Sequence, residues 1–356
     1  SIASASGIAD FLVFGAEKAD INELSDIAEI LLETETDKSS ELSEKYSMLL
    51  KTGLSSGMSY PAARENALRN LGFENAHLIS SPNNILACEY LRAVKSLEAS
   101  GNPKYKKLKP VAVKRIGDSF LAQSPSDSSF TSATAIRNIL FSYSHDSSKA
   151  LCREALRGEA SVSELRGRLS PYLPKEILEL YTDHVFESGS NFEPLISKDR
   201  LSDMLNLKLL ELMDEDADFT DYCDVSQVLS QRIKKTALRP MTFSDRIETL
   251  KTKDYTYSRI SRALLHIVLG MRSSEMKELK AHGYTDHIRL LGFRRSSSAL
   301  LKELKNNSSL PIVTKAADNK ELLKHSLKAD NIYYSLLAGK NKYIKNEFER
   351  EIVTEP

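Results

Sequence analysis

The chain has 356 residues, 41% of them apolar and 28% charged, with 49 Lys and Arg balanced by 49 Asp and Glu. That length suits two domains with sizeable cores, and the composition excludes disordered and fibrous classes. No apolar run approaches the roughly 18 residues that cross a bilayer, no basic leader with an apolar core stands at the front, and Cys88, Cys152 and Cys223 lack zinc-knuckle or disulfide-framework spacing. The expected setting is a reducing cytoplasm, without membrane, obligate protein partner or protein-bound metal.

In chain order, Ser1-Ile-Ala-Ser-Ala-Ser-Gly7-Ile8 reads as the end of a helix, which implies further sequence upstream. Asp10-Phe-Leu-Val-Phe-Gly15 is a short apolar run ending in glycine, as expected of a buried parallel strand. Asp20 and Glu23 form a capping-box-like start to a helix with Ile21, Leu24, Ile27, Ala28 and Leu31 on one face. Ser59-Tyr60-Pro61 opens a second helix through Ala63, Ala67 and Leu68, stopped by Gly72. Asn83 and Asn84 precede a third, with Ile85, Leu86, Tyr90, Leu91 and Val94 expected inward, and Pro110-Val-Ala-Val-Lys-Arg115 is a second strand. Strands alternating with helices predict a parallel α/β sheet, although so few strands again point to missing upstream sequence.

Asp118–Ser129 reads as an exposed loop. Beyond Thr131 the pattern is helical over roughly 132–142, 147–158, 161–184, 199–213, 224–236 and 256–271. His287-Ile-Arg-Leu-Leu-Gly-Phe293 breaks that run as a small late β element, with Leu310-Pro-Ile-Val-Thr-Lys315 as a candidate partner.

The neutral total hides local asymmetry. Seven acids and no base fall between Glu211 and Asp224, and nine bases against three acids between Arg232 and Arg262. A second basic run, Lys104, Lys106, Lys107, Lys109, Lys114 and Arg115, contains no acid. Single runs of this kind are commonly solvated faces; two in one chain favour a polyanionic partner. In the first, Lys251, Lys253, Arg259 and Arg262 with Tyr255 and Tyr257 mix cations and rings as RNA-binding surfaces do, the other reading being core tyrosines and solvating bases. His266, in an apolar helix, reads as a core histidine, and Cys152 and Cys223 as small fillers. His282 and His287 lack metal-ligand spacing.

Thr131-Ser-Ala-Thr-Ala-Ile-Arg137 enters a helix from a polar loop. Ser132, Thr134 and the free N–H groups of a helix start make an anion site, and Arg137 can fold back onto a phosphate. An ordinary N-cap with a surface arginine is the alternative.

Ser132-Ala-Thr134-Ala-Ile-Arg137 resembles the second signature, I-S-x-T-x-I-R, of Rossmann-like nucleotidyltransferases. More narrowly, the chain resembles bacterial tRNA(Met) cytidine acetate ligases. The matching strings, in that family's order, are Phe14-Gly15-Ala-Glu17, Gly57-Met-Ser-Tyr-Pro61, Ser81-Pro-Asn-Asn-Ile-Leu86, Val113-Lys-Arg115, Ser132–Arg137, Lys251-Thr-Lys-Asp-Tyr-Thr-Tyr-Ser-Arg259 with Leu264-Leu-His266, Ile288–Phe293 and Leu310–Lys315.

The resemblance implies ATP, with Mg2+, activating acetate as acetyl-adenylate, then acetylation of the wobble cytidine of elongator tRNA(Met) to N4-acetylcytidine. It places ATP contacts on Gly15, on the Asn83–Asn84 pair without choosing between them, and on Arg115, beside Ser132, Thr134 and Arg137. It also implies a division into residues 1–145, the C-terminal part of a nucleotidyltransferase domain, and 146–356, a mainly helical tRNA-binding domain.

None of the 7 histidines forms the family's H-x-G-H. Aligned on Phe14–Glu17, roughly a hundred residues of the family pattern would precede Ser1, about two-thirds of an average domain. The expectation is a chain with an incomplete active site, inactive alone. A small-molecule adenylyltransferase and a non-catalytic tRNA-binding relative are the alternatives.

Overall fold

The structure, a computed structural model, describes residues 1–36, 39–117, 122, 124–125, 130–142, 159–186, 196–281, 283–337 and 345–355. Two compact units emerge: Ser1–Phe120 with His287–Thr314 and Ile352–Pro356, and Leu121–Asp286 with Lys315–Glu351. These compact bodies differ in extent from the 1–145 and 146–356 division of tasks, since 121–145 fall in the second unit and two late segments join the first.

In the first unit the expected strands β1 (Phe11–Ala16) and β2 (Lys109–Lys114) pair in parallel, from Phe11 opposite Lys109 to Ala16 opposite Lys114. Strand alternation sends Phe14 and Ala16 into a core with Leu24, Ile27, Ala28 and Leu31 of the Ile21–Thr36 helix. The Asp20 carboxylate accepts the Asn22 and Glu23 N–H groups at 3.0 and 3.2 Å, the expected N-terminal cap. The opening helix ends as read: Ile2–Ala5 stops before Gly7, which takes φ 71° just past the C-cap.

The helix Tyr60–Asn70 carries Pro61 in its first turn and ends before Gly72, as expected. The helix Glu41–Ser55, capped by Ser40, has no counterpart in the sequence reading; its apolar residues are interrupted by Ser, Lys and Thr, and Tyr46 alone of its large side chains is fully buried. The third helix starts at Pro82, so Asn83 and Asn84 lie inside its first turn. Its inner face also differs from expectation: Leu86 and Tyr90 are 46% and 43% exposed, while Ala87, Cys88, Leu91 and Val94 are buried. The 3.6-residue period places Asn84, Ala87, Cys88 and Leu91 on one stripe, and Leu86 and Tyr90 outside it.

The late β element forms as read, with β3 (Ile288–Arg289) parallel to β5 (Ile312–Val313). The chain's final strand β6 (Val353–Glu355) adds a pairing the sequence did not suggest, parallel to β4 (Gly292–Arg294).

The second unit is helical. Ser202–Asp214, Gln227–Ala237, Phe243–Leu250 and Tyr257–Leu269 enclose a core that includes Leu209, Phe219, Leu229, Ile247 and Leu264. The single helix read over 161–184 is two, Glu159–Leu169 and Lys175–Phe186. Pro171 and Pro174 between them lack N–H donors and bias their preceding residues away from helix. The helix read at 147–158, most of the 118–129 loop, Cys152 and His282 lie outside the described residues. No helix among the described residues is long and apolar enough to cross a membrane.

Candidate nucleotide site and nucleic-acid surface

β1 ends against the first turn of the Pro82–Ala99 helix, whose leading N–H groups have no partners within the helix. Glu17, immediately after the strand, supplies one. Its Oε2 accepts the Asn84 N–H at 3.0 Å and its Oε1 the Asn83 Nδ2–H at 2.7 Å, a carboxylate on the positive end of a helix dipole. Asn84 Oδ1 returns the contact, accepting the Lys18 N–H at 3.2 Å. Glu17 stands in one of the matched sequence strings, but composition and spacing gave it no role.

This lock separates the two asparagines. Asn84 is buried and its carbonyl is used by the loop; Asn83 is half-buried and keeps its Oδ1 uncommitted among the described residues. Beside them, the position a Cβ would take on Gly15 has no atom within 4 Å. The Arg115 N–H extends the ladder onto Ala16 O at 2.8 Å, so its side chain departs from the same sheet end. Gly15, Asn83, Asn84 and Arg115 thus converge at the carboxyl end of the parallel pair, where open α/β sheets bind ligands.

Ser132, Thr134 and Arg137 belong to the second unit, at the start of the Ala133–Ser142 helix. Ser132 is buried and caps that helix: its Oγ accepts the Ala135 N–H at 3.0 Å and donates to Ala122 O at 2.5 Å. Arg137 is exposed, its guanidinium donating to Thr134 Oγ1 at 3.2 Å. Thr131 Oγ1 is buried without a hydrogen-bond partner.

The basic segment divides on inspection. Arg246, one of its nine cations, is fully buried, donating to Thr236 O, Arg239 O and Asn206 Oδ1 at 2.8, 2.7 and 2.8 Å. Burial lowers its pKa. Arg232 donates twice to Leu250 O, at 3.2 and 2.9 Å, closing a helix C-terminus. Both are internal fastenings, which the sequence reading counted as surface charge.

Lys251 is exposed with Glu248 Oε2 at 3.4 Å, and Lys253 is exposed with no carboxylate in reach among the described residues. The Arg259 guanidinium stacks 4.6 Å from the Tyr255 ring, whose hydroxyl meets Ser226 Oγ at 2.5 Å. Lys198 does likewise for Tyr257, 4.5 Å from its ring centroid and hydrogen-bonded to its hydroxyl. Lys198 is far away in sequence, so no local pattern could have revealed it. Both tyrosines also pack on the unit's core, as the core reading of them has it.

Arg262 differs from its neighbours. It holds Asp224 bidentately, at 2.6 and 3.2 Å. That bond keeps the Asp224 carboxyl below its usual range and raises Arg262. His266 Nδ1 stands 3.2 Å from Asp224 Oδ2 and 3.2 Å from Cys223 O, a satisfied, half-buried histidine as read from the sequence. Among the described residues no cluster of three or more His, Cys, Asp or Glu could hold a metal ion.

Residues 1–349 match the HIGH nucleotidyl transferase family. The chain belongs to that family. Among curated relatives, the tRNA(Met) cytidine acetate ligase of a Thermoanaerobacter species is 32% identical over 348 residues, covering 95% of this chain and 74% of the relative. That of Clostridium kluyveri is 31% identical over 361 residues, covering 98% and 76%. The enzyme of the same name from Acetivibrio thermocellus is 29% identical, and the chain spans 66% of its length. In fold, the chain is similar to Thermotoga maritima TmcAL in its apo crystal form, with TM-score 0.77 and 22% identity, covering 99% of this chain and 78% of that one. A second crystal form of TmcAL, bound with alpha-thio ATP, gives TM-score 0.73 and 23% identity, covering 98% and 77%. Family membership bears out the α/β nucleotidyltransferase reading drawn from the ordered strings.

Proposed function

We propose that this chain serves an ATP-dependent ligase that activates acetate and acetylates the wobble cytidine of elongator tRNA(Met), with nucleotide chemistry in residues 1–145 and tRNA binding in 146–356. The observation that carries the reading is the Glu17 lock on Asn83 and Asn84, beside the open Cα of Gly15 at the sheet's carboxyl end. The names of the curated relatives support the substrate, and alpha-thio ATP on TmcAL supports the nucleotide.

Gly15 lets the nucleotide approach the backbone. Asn83, with the less buried amide, contacts base or ribose, while Asn84 holds the loop. Arg115 and Arg137 neutralise phosphate charge, Thr134 and the free N–H groups behind the Ser132 cap add donors, and Mg2+ arrives with the triphosphate. An acetate oxygen attacks the α-phosphorus and pyrophosphate leaves; the cytidine N4 amine then attacks the acetyl carbon, losing a proton as AMP departs. The H-x-G-H contribution to the first step is not among these 356 residues.

Lys251, Lys253 and Arg259 offer the RNA phosphates exposed cations. Arg262 is the weakest of the four proposed contacts, because Asp224 already neutralises it.

The test is acetate-dependent exchange of labelled pyrophosphate into ATP, followed by transfer of labelled acetate to elongator tRNA(Met). Exchange that requires another acid overturns the acetate assignment and favours a small-molecule adenylyltransferase. Binding of tRNA with no exchange, even when the H-x-G-H segment is supplied, favours a non-catalytic relative. Arg137→Ala should weaken ATP binding and spare tRNA binding; an unchanged ATP affinity removes Arg137 from the site.

A further inference from the structure

The basic run of the first unit has no part in the site above except through Arg115, and the fold splits it. Lys114 and Arg115 stand at the carboxyl end of β2, with the nucleotide residues. Lys104, Lys106, Lys107 and Lys109 gather at the opposite end, where the strand begins. Five steps of about 3.3 Å along the strand put Lys109 roughly 16 Å from Lys114. Four lysines in six residues therefore form a separate surface, too far off to hold the same triphosphate.

Several other bases of the unit are paired. Lys18, Lys45, Arg64, Arg69, Arg92 and Lys95 each meet a glutamate. In the basic cluster Lys106 alone has a carboxylate, Asp10 at 2.6 Å, among the described residues. Lys104, Lys107 and Lys109 are exposed, with Lys109 additionally 6.0 Å from the Phe11 ring. Unpaired lysines crowded on one edge repel one another, and an external polyanion relieves that repulsion. Compact ammonium groups on flexible stems suit a phosphate backbone, which asks for charge more than for fixed forks.

We infer that Lys104, Lys107 and Lys109, with Lys106 beside them, are a second tRNA contact that grips backbone phosphates away from the reacting nucleotide. The inference rests on the tRNA reading above. A nucleic-acid arm with one nucleotide at the carboxyl end of the sheet extends well beyond 16 Å, so both ends of β2 can meet one tRNA.

The experiment compares tRNA(Met) binding by the whole chain and by its Lys104→Glu/Lys107→Glu/Lys109→Glu variant, between about 50 and 200 mM KCl. Each lost phosphate contact removes about 0.7–0.9 from the slope of log affinity against log salt, so the slope should flatten by about 2–3. Affinity at the low-salt end should fall roughly 10- to 100-fold, with ATP binding unchanged. The triple Lys→Gln variant, which adds no negative charge, should show the same flattening. A slope within error of wild type in either folded variant, while Lys251→Glu/Lys253→Glu flattens it, overturns this second contact and leaves the tRNA reading standing. A wild-type chain without salt-dependent tRNA binding removes the reading itself, and this contact with it.

Discussion

Replacing Arg246 by Met tests whether a cation counted as surface charge is part of the core. The guanidinium is fully buried with no carboxylate in reach among the described residues, held by two carbonyls and the Asn206 amide oxygen. In Arg246→Met, Thr236 O keeps the Arg239 N–H at 3.1 Å, and Asn206 Oδ1 keeps a long contact to Met241 N at 3.5 Å. Arg239 O is left without its donor. One fully and one largely unsatisfied acceptor, both at part-buried contacts, cost about 1–3 kcal/mol each, partly offset by no longer burying an uncompensated charge. A net loss of about 2–4 kcal/mol follows, or roughly 5–15 °C in the melting transition of a unit of this size. Calorimetry on the whole chain reads it, because a two-unit protein is not assumed two-state and the helical unit's own transition can be followed. The tRNA salt slope should not move. A melting shift under about 2 °C, or a flattened salt slope, would refute the assignment of Arg246 to the core.

Asp224→Asn should cost about 1 kcal/mol at neutral pH, discounted because Arg262 is 57% exposed. Asparagine tolerates the φ of 63° at this position, so the loss reads the charge and not the backbone. The folded carboxyl is depressed, chiefly by Arg262, so the pair's contribution is present above about pH 4 and lost as pH falls through the folded value. Denaturation at pH 7 and pH 3 should show the gap between variant and wild type narrowing at the lower pH. The same variant frees Arg262 and should tighten tRNA binding a few-fold at low salt; weaker binding would mean that Asp224 itself faces the RNA. Burial pushes the Cys88 thiol up to about 12, so peptide mapping at pH 8 should find it unlabelled in native protein and labelled in urea. Equal labelling in both would place it at the surface.

Much of the fold was legible because it is written locally. The Asp20 cap, Pro61 in a first turn, Gly72 after a helix and the apolar runs of β1 and β2 each follow from the backbone needs of a few neighbouring residues. The ordered motif strings carried the family, since they preserve identity and order together. What tertiary structure decided was the use of each charge. Arg232, Arg246 and Arg262 look like Lys253 in a composition count, yet two close helix ends and carbonyls inside the unit and one is held by Asp224, because their partners come from other parts of the packed unit. Glu17 and Lys198 gained their roles in the same way, from contacts 66 and 59 residues away. Sequence distance hides such pairs, and only the packed chain determines which cations remain for a ligand.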